Sequence, residues 1–433
     1  MKRLITALIM SVFILSGFYV IANTMPFQDN INSNESKKSY QSSGNLNPIW
    51  NKTWGGVGID MGQSLAVDNS GLYVAGYTDS FGSGQKDISL LKYDLDGNPQ
   101  KTATWGGSGN DTAESITISN SFLYVSGYTG SFGNGGWDMA VLKFDLDLNF
   151  IWSRTWGGAY DDDATSIVAD DSYIYASGWS FNAGGGNPVI LKYDPNGNMI
   201  WNRTWGGSPY AGGLGMALDD SNIYICGSET GPGVYDAFVL KYDKDGNHIW
   251  NRTWGGNKAD VAISVSVFGS GIFVTGYSES NSVNILSDIM LLNYNMNGDL
   301  LWNKTWGTSR GESGSSIIVY NSNIYIVGMT SDFTAHSGDI ICLKCNLNGD
   351  VIWNKTWGGN KNDCAFDFKI YKQNIYIAGY TGNYDMGDTD ILILKTDLDG
   401  GNGTVYEFNI SYSIPLLIAV IAIFVIYRKN RHF

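Results

Sequence analysis

Histidine, cysteine and proline are scarce here, with 3, 4 and 8 residues in a chain of 433. So little His and Cys argues against a Cys/His zinc module, a disulfide scaffold or a haem attachment site. Basic residues are also few, 27 Lys and Arg against 41 Asp and Glu, for a net charge of −14. Nucleic acid is bound through basic surfaces that displace counterions, and no basic stripe occurs, so nucleic acid is not an expected partner. No segment sustains a helical period. Glycine (55 residues) and aromatics (15 Trp, 26 Tyr, 18 Phe) are abundant instead, on a chain that is 43% hydrophobic. That composition belongs to a folded, acidic, all-β protein rather than to a disordered one.

The two ends differ from the middle. Lys2 and Arg3 precede an uncharged stretch over 4–22 that closes on Val20, Ile21 and Ala22. This reads as a secretory signal peptide, 1–22. At the other end 410–427 is apolar apart from two Ser and the Tyr residues, and Arg428, Lys429, Arg431 and His432 follow at once. An apolar span closed by basic residues is a stop-transfer pattern. It predicts one transmembrane helix over 410–427, a cytoplasmic tail over 428–433 and the rest of the chain outside the cell. Residues 23–47, rich in Asn, Ser, Gln and Lys, read as a polar linker, and 404–409 as a short stalk. With the five basic residues of the two flanks set aside, 22 basic residues face 41 acidic ones, a net of −19. Such a surface stays soluble and draws cations rather than polyanions.

Between these ends the sequence repeats. Thr-Trp-Gly-Gly, once Thr-Trp-Gly-Thr, recurs with its Trp at 54, 105, 156, 205, 254, 306 and 357. Eight residues after each Trp stands Gly or Ala, and twenty-two after it always Gly, from Gly76 to Gly379. Each unit reads as four short strands parted by turn-forming clusters, the third and fourth joined by Asp-x-Asp-Gly-Asn or a relative of it. Four-stranded units of about 50 residues mark a β-propeller, and seven units predict seven blades over 48–403. The chain enters on a fourth strand and the last unit stops after its third. The N-terminal strand is therefore expected to complete the last blade and remove the open edge. The two Trp of each fourth strand, such as Trp201 and Trp205, are four residues apart and share one face.

The pattern Trp-x-[Arg/Lys]-Thr-Trp-Gly-Gly, an acid, Ser-Ile-x-Val, Ile-Tyr-Val-x-Gly-Tyr-Thr and Asp-x-x-Leu-x-Lys-Tyr-Asp-x-x-Gly-Asn-x-x-Trp is similar to the SBBP-type β-propeller repeats of prokaryotic surface and secreted proteins. The likeness covers about 48–400. The Gly-Asn-x-x-Trp segment also resembles the tryptophan-docking strand of quinoprotein propellers. What the resemblance implies is the fold and an extracellular place. The repeat family has no single activity to carry over.

Six residues after each repeat Trp come Asp60, Asp111, Asp162, Ala211, Asp260, Glu312 and Asp363. Six acids at one repeat position suggest a carboxylate ring near the channel mouth, able to hold Ca²⁺, a cationic ligand or a sugar. The competing reading is an acid that caps a local turn in every blade. The Asp-x-Asp-Gly-Asn loops lack the length and closing Glu of a Ca²⁺ loop and read as hairpins. Asn51, Asn202, Asn251, Asn303 and Asn354 lie in Asn-[Lys/Arg]-Thr on the fourth strand, and Asn34, Asn110, Asn402 and Asn409 form further sequons. On a secreted chain these are N-glycan acceptors, or else strand sequence that the repeat happens to encode. Cys342 and Cys345 fall within one strand, where odd spacing sends them to opposite faces, so both read as core. No vicinal Cys pair or oriented His supports a quinone cofactor or a Ser/His/Asp triad. No cofactor is expected beyond a possible Ca²⁺.

These features predict a single-pass cell-membrane protein with an extracellular, non-enzymatic propeller that recognises a protein or glycan. Its variable loops between second and third strands, 80–86, 180–187 and 278–287, are the natural contact surface. A structural part in a glycosylated coat is the main alternative. An enzyme acting on extracellular polysaccharide is the lesser one, and it would need paired carboxylates across a cleft. The densest acidic run is Asp161, Asp162 and Asp163.

Overall fold

In a computed structural model the described residues are 44–401, apart from 184, 207–210, 231–233, 283–285, 333–336, 361 and 383–388. The signal segment, most of the linker, the stalk, the apolar span 410–427 and the tail lie outside them. Among the described residues no helix is long and apolar enough to cross a membrane. Seven four-stranded sheets are present, and every paired strand runs antiparallel to its neighbour. We number the blades 1 to 7 in chain order and call the strands of each a to d from the inside outwards, in blade 1 Asp60–Asp68, Gly71–Thr78, Asp87–Tyr93 and Pro99–Trp105.

The a strands are Asp60–Asp68, Asp111–Ser119, Asp162–Ala169, Ala211–Leu218, Asp260–Phe268, Gly311–Tyr320 and Asp363–Tyr371. Each touches the a strands of the two neighbouring blades, so the seven form a closed ring around a central channel. The ring closes as the repeat register requires. Strand Trp50–Trp54 pairs with Asp390–Asp397, from Trp50 opposite Lys395 to Trp54 opposite Ile391, and so supplies strand d of blade 7.

Each apolar core belongs to a junction between blades rather than to one blade. Ala75, Ile88 and Leu90 of blade 1 pack with Ala113, Ile116 and Leu142 of blade 2. The same arrangement recurs around the ring to the last junction, where Ile391 and Ile393 of blade 7 meet Leu65, Leu72 and Val74 of blade 1. Both faces of a blade are thus apolar. Cys342 shows this directly, since it packs in the junction between blades 6 and 7, whereas Cys345 packs in that between blades 5 and 6. The four cysteines are buried free thiols.

The invariant Gly has a steric cause that the repeat pattern alone does not reveal. Every a strand carries a β-bulge, for example between Gly62 and Ser64 and between Ala113 and Ser115. Bulges bend a strand and sharpen its twist. This one brings the carbonyl of Met61 so near Gly76 that a Cβ there would sit 1.8 Å from the oxygen. The same contact measures 1.8–2.0 Å at the other six glycines. A side chain at this position is excluded, and the bulge leaves one residue out of the ladder in six blades, Gln63, Glu114, Leu214, Ile263, Ser315 and Phe366, and two in blade 3, Ala164 and Thr165.

Closure by strand Trp50–Trp54 should carry much of the stability. Deleting 1–54 bares the edge of Asp390–Asp397, and we expect aggregation and loss of the single cooperative melt, read by light scattering and calorimetry. Leu392→Ala, at a fully buried site between blades 6 and 7, should cost about 2–5 kcal/mol in denaturant unfolding. Wild-type melting in both variants would overturn this account.

Candidate functional site

Strand a of each blade starts at the face where the b–c loop also lies, because b runs back antiparallel to a. The variable loops and the six repeat acids therefore share one face of the ring. Asp60, Asp111, Asp162, Asp260 and Asp363 each open strand a, Glu312 is the second residue of its strand, and all six are 0–1% exposed. Each accepts the N–H of the residue four before it, at 2.8–3.0 Å: Gly56, Gly107, Gly158, Gly256, Thr308 and Gly359. Side chains of strand b and its loop add to this: Ser80 and Ser131 donate to Asp60 and Asp111 at 2.7 and 2.5 Å. The carboxylates thus tie the Trp-Gly-Gly turn to its own blade.

Each of these acids also faces a second one, at the start of strand c of the preceding blade. A Cβ placed on Gly55 would lie 2.0 Å from Asp390 Oδ1 and 2.7 Å from Asp60 Oδ2, so those oxygens are within 4.7 Å of each other. Asp87 with Asp111, Asp138 with Asp162, Asp236 with Asp260 and Asp339 with Asp363 close in the same way on Gly106, Gly157, Gly255 and Gly358. This explains the first Gly of the motif. At the junction of blades 3 and 4 both acids are replaced together, by Asn187 and Ala211. Burial, followed by the facing carboxylate, raises the carboxyls of Asp390 and Asp236, and Glu312 is pushed up to about 7 chiefly by burial. Among the described residues no group of three or more His, Cys, Asp and Glu is placed to hold a metal.

A different set of residues breaks the sevenfold pattern. At the bulge, Glu114 is the one acid among Gln63, Thr165, Leu214, Ile263, Ser315 and Phe366. At the repeat position next after that of Asp60, Asp163 is the one acid among Met61, Thr112, Gly212, Val261, Ser313 and Cys364. Blades 2 and 3 are neighbours, so the two acids share one sector of the channel mouth. Thr112 Oγ1 donates to Glu114 Oε1 at 3.2 Å. Asp163 is 4% exposed, and its Oδ1 has no hydrogen-bond partner among the described residues. Burial pushes Glu114 up to about 7, while Thr112 and Lys86 pull the other way. Asp163 is held well above the carboxylate range, by burial first and then by the charge of Glu114.

Aromatic rings border this sector. Tyr77 and Tyr128 on strand b stand opposite Met61 and Thr112. Trp137, at the end of the b–c loop of blade 2, stacks on Tyr128 with centroids 4.4 Å apart and planes at 16°. Lys86, at the same place in blade 1, puts its Nζ 4.0 Å from the Tyr77 centroid. The main-chain N–H of Trp137 donates to Asp161 Oδ1 at 3.0 Å. The adjoining sector is apolar: Met61 and Tyr77 of blade 1 pack with Cys364 and Tyr380 beside Met329 and Phe366. A third channel acid, Asp367, is fully engaged: it accepts Ser64 Oγ at 2.7 Å, Ser316 Oγ at 3.0 Å and the Leu65 N–H at 3.2 Å, and pairs with Lys369 at 2.6 Å.

The remaining motifs sit elsewhere. In the hairpins of the far face the first Asp accepts the N–H groups of the second and fourth residues after it, as Asp94 does from Asp96 at 3.0 Å and Asn98 at 2.8 Å. The turn Gly has φ near +80°, and the basic residue of strand d in the previous blade donates to its carbonyl, Arg154 to Gly197 at 2.8 Å and Arg203 to Gly246 at 3.0 Å. Of the strand-d sequons, Asn51, Asn202, Asn251 and Asn303 are exposed and Asn354 is 4% exposed. Asn34, Asn402 and Asn409 lie outside the described residues, as does His336.

Glu114, Lys86, Tyr128 and Trp137 do not stand out in the sequence, because aligned repeats display what recurs. Their signal is the opposite one, a charge at a position where six other blades have none.

These buried carboxyls set the sign of the pH response. Glu114 and Glu312 titrate near 7 when folded and near the ordinary carboxylate value when unfolded, so between those limits the folded state holds more protons. Stability should therefore fall as pH rises from about 4.5 to about 7 and level off above. We expect a melting temperature several degrees higher near pH 5 than near pH 8, with the slope reduced in Glu114→Gln. A flat or rising profile over that window would refute the assignment.

No known family model matches the chain. A stretch of 162 residues, 31% of this chain, is 30% identical to the regulatory protein FlaEY of Caulobacter vibrioides, and the match spans 17% of that protein. Among solved structures, the WD40 β-propeller domain of Doa1 is similar over 81% of this chain and 98% of its own, at 12% identity and a TM-score of 0.49. The acylaminoacyl peptidase of Pyrococcus horikoshii is similar over 77% of this chain and 51% of its own, at 12% identity and a TM-score of 0.45. The β-propeller domain of the Trilobed protease from Pyrococcus furiosus is similar over 82% and 99%, at 10% identity and a TM-score of 0.44.

Proposed function

We propose that this chain is a membrane-anchored recognition module of the cell surface, with the propeller outside and the face of the b–c loops binding a protein or glycan. The observation that carries this reading is the break in the repeat. Residues shared by seven blades hold the blades together, whereas Glu114, Asp163 and Trp137 serve no repeated contact and gather at the mouth beside the variable loops. That face also bears exposed rings, Phe81 and Phe132, each 47% exposed and lying 5.0 Å from Trp54 and Trp105. Aromatic anchors among adaptable Gly, Ser and Asn suit a binding surface. The anchor and the outside location rest on the apolar flanks and the basic tail, and the likeness to surface-protein repeats agrees with them.

Four exposed sequons on the outermost strands favour the coat reading as a second possibility, in which glycans rather than a ligand define the surface. We expect mass spectrometry of the natively expressed chain to find glycan on Asn51, Asn202, Asn251 and Asn303 and none on Asn354, whose burial denies a transferase access.

The test of recognition is binding of the soluble segment 23–406 to arrays of glycans and surface proteins, with calcium present. A saturable partner whose binding weakens at least tenfold on substitution in the b–c loops supports the proposal. Blank arrays together with full occupancy of the four sequons would favour the coat.

A further inference from the structure

The channel mouth holds two acids and unequal means of balancing them. Glu114 receives the Thr112 hydroxyl and lies in the field of Lys86, whose ammonium rests over the Tyr77 ring. Asp163 receives neither. Its carboxyl is 4% exposed with Oδ1 unpartnered among the described residues, and the charges it feels are acidic, from Glu114. A buried carboxyl in that condition takes up either a proton or a cation.

The surroundings decide which cation. Calcium requires six to eight oxygen ligands, and this sector supplies two carboxyls and a threonine hydroxyl beside aromatic faces. Aromatic faces next to a carboxylate suit an organic ammonium, which gains from both the charge and the ring quadrupole. The protein already shows the pairing once: the Lys86 ammonium lies 4.0 Å from the Tyr77 ring centroid and interacts electrostatically with Glu114. One blade further round, Tyr128 and Asp163 repeat the ring and the acid. At the position of Lys86 blade 2 has Trp137, which stacks on Tyr128 and supplies no charge.

We infer that the sector between Tyr128, Trp137, Glu114 and Asp163 accepts the straight-chain alkylammonium of a lysine side chain from a protein partner, presented at the b–c loop face. This deepens the recognition reading and rests on it for the partner. The linear shape follows the example of blade 1, where a lysine ammonium already rests over the corresponding ring, Tyr77. The incoming ammonium replaces the proton that burial otherwise imposes on the acid pair, so binding releases a proton.

The experiment is calorimetric titration of the full-length chain near pH 7 with butylammonium chloride, Nα-acetyl-lysine amide, glucosamine and calcium chloride. Two variants borrow residues from neighbouring blades at the same repeat positions, and so suit the fold: Glu114→Gln, as in Gln63, and Asp163→Thr, as in Thr112. We expect saturable binding of the two straight-chain amines, at least tenfold weaker in both variants, with a heat that depends on the buffer's ionisation enthalpy because protons leave. Unchanged binding in both variants, tighter binding of glucosamine than of butylammonium, or calcium that saturates the sector without competition from the amine would each overturn the inference. A protein or glycan partner found on the arrays whose binding ignores both variants would leave the recognition reading standing and remove this one. Amine binding with blank arrays would do the reverse.

Discussion

Every sheet in this molecule is apolar on both faces, and that one constraint governs the rest. A blade has no core of its own. Leu142 and Leu392 are buried because the next blade lies against them, so the burial that drives folding is complete only when seven blades form a ring. Closure through Trp50–Trp54 follows from the same need, since an incomplete blade would leave both an unpaired edge and an uncovered apolar face. The invariant glycines, the bulges and the carboxylate that caps each Trp-Gly-Gly turn are local conditions for bringing seven inner strands together around one axis.

That repetition divides the residues into two kinds. Asp60 and its counterparts recur because each blade needs its turn held. Asp367 is unusual for its repeat position but is consumed by Ser64, Ser316 and Lys369, and it ties its blade to the neighbours on both sides. Glu114 and Asp163 are neither repeated nor consumed. Desolvated acids with little compensation are costly to keep, and the cost is borne where the apolar half of the mouth meets the polar half.

Much of the fold was legible in the sequence. The seven Trp-Gly-Gly strings set the blade number, the register at the two ends predicted the closing strand, and the odd spacing of Cys342 and Cys345 placed them on opposite faces. The bulge was not legible, because the residues that flank it, such as Gly62 and Ser64, look like ordinary strand sequence, and its effect, a carbonyl pressed against Gly76, falls on another strand. The candidate site was less legible still. The recurring acid drew attention for its regularity, whereas its facing partner on strand c comes from a different repeat about 24 residues before it and is adjacent only across a junction. Glu114 and Asp163 are 49 residues apart in the chain, and only the folding of blades 2 and 3 against each other makes them a pair.

The seating of the last strand has a mechanical meaning. Asp390–Asp397 is the final strand of the ring, yet it is not an edge, because it lies between Asn374–Thr381 and Trp50–Trp54 and is bonded on both sides. A load applied from the C-terminal end enters the sheet through its interior, and two hydrogen-bonded ladders resist it together. The strand contributed by the other end of the chain acts as a clasp over the point of attachment. A ring closed in this way passes tension from its C-terminal end into the sheet without offering a free strand from which to unravel.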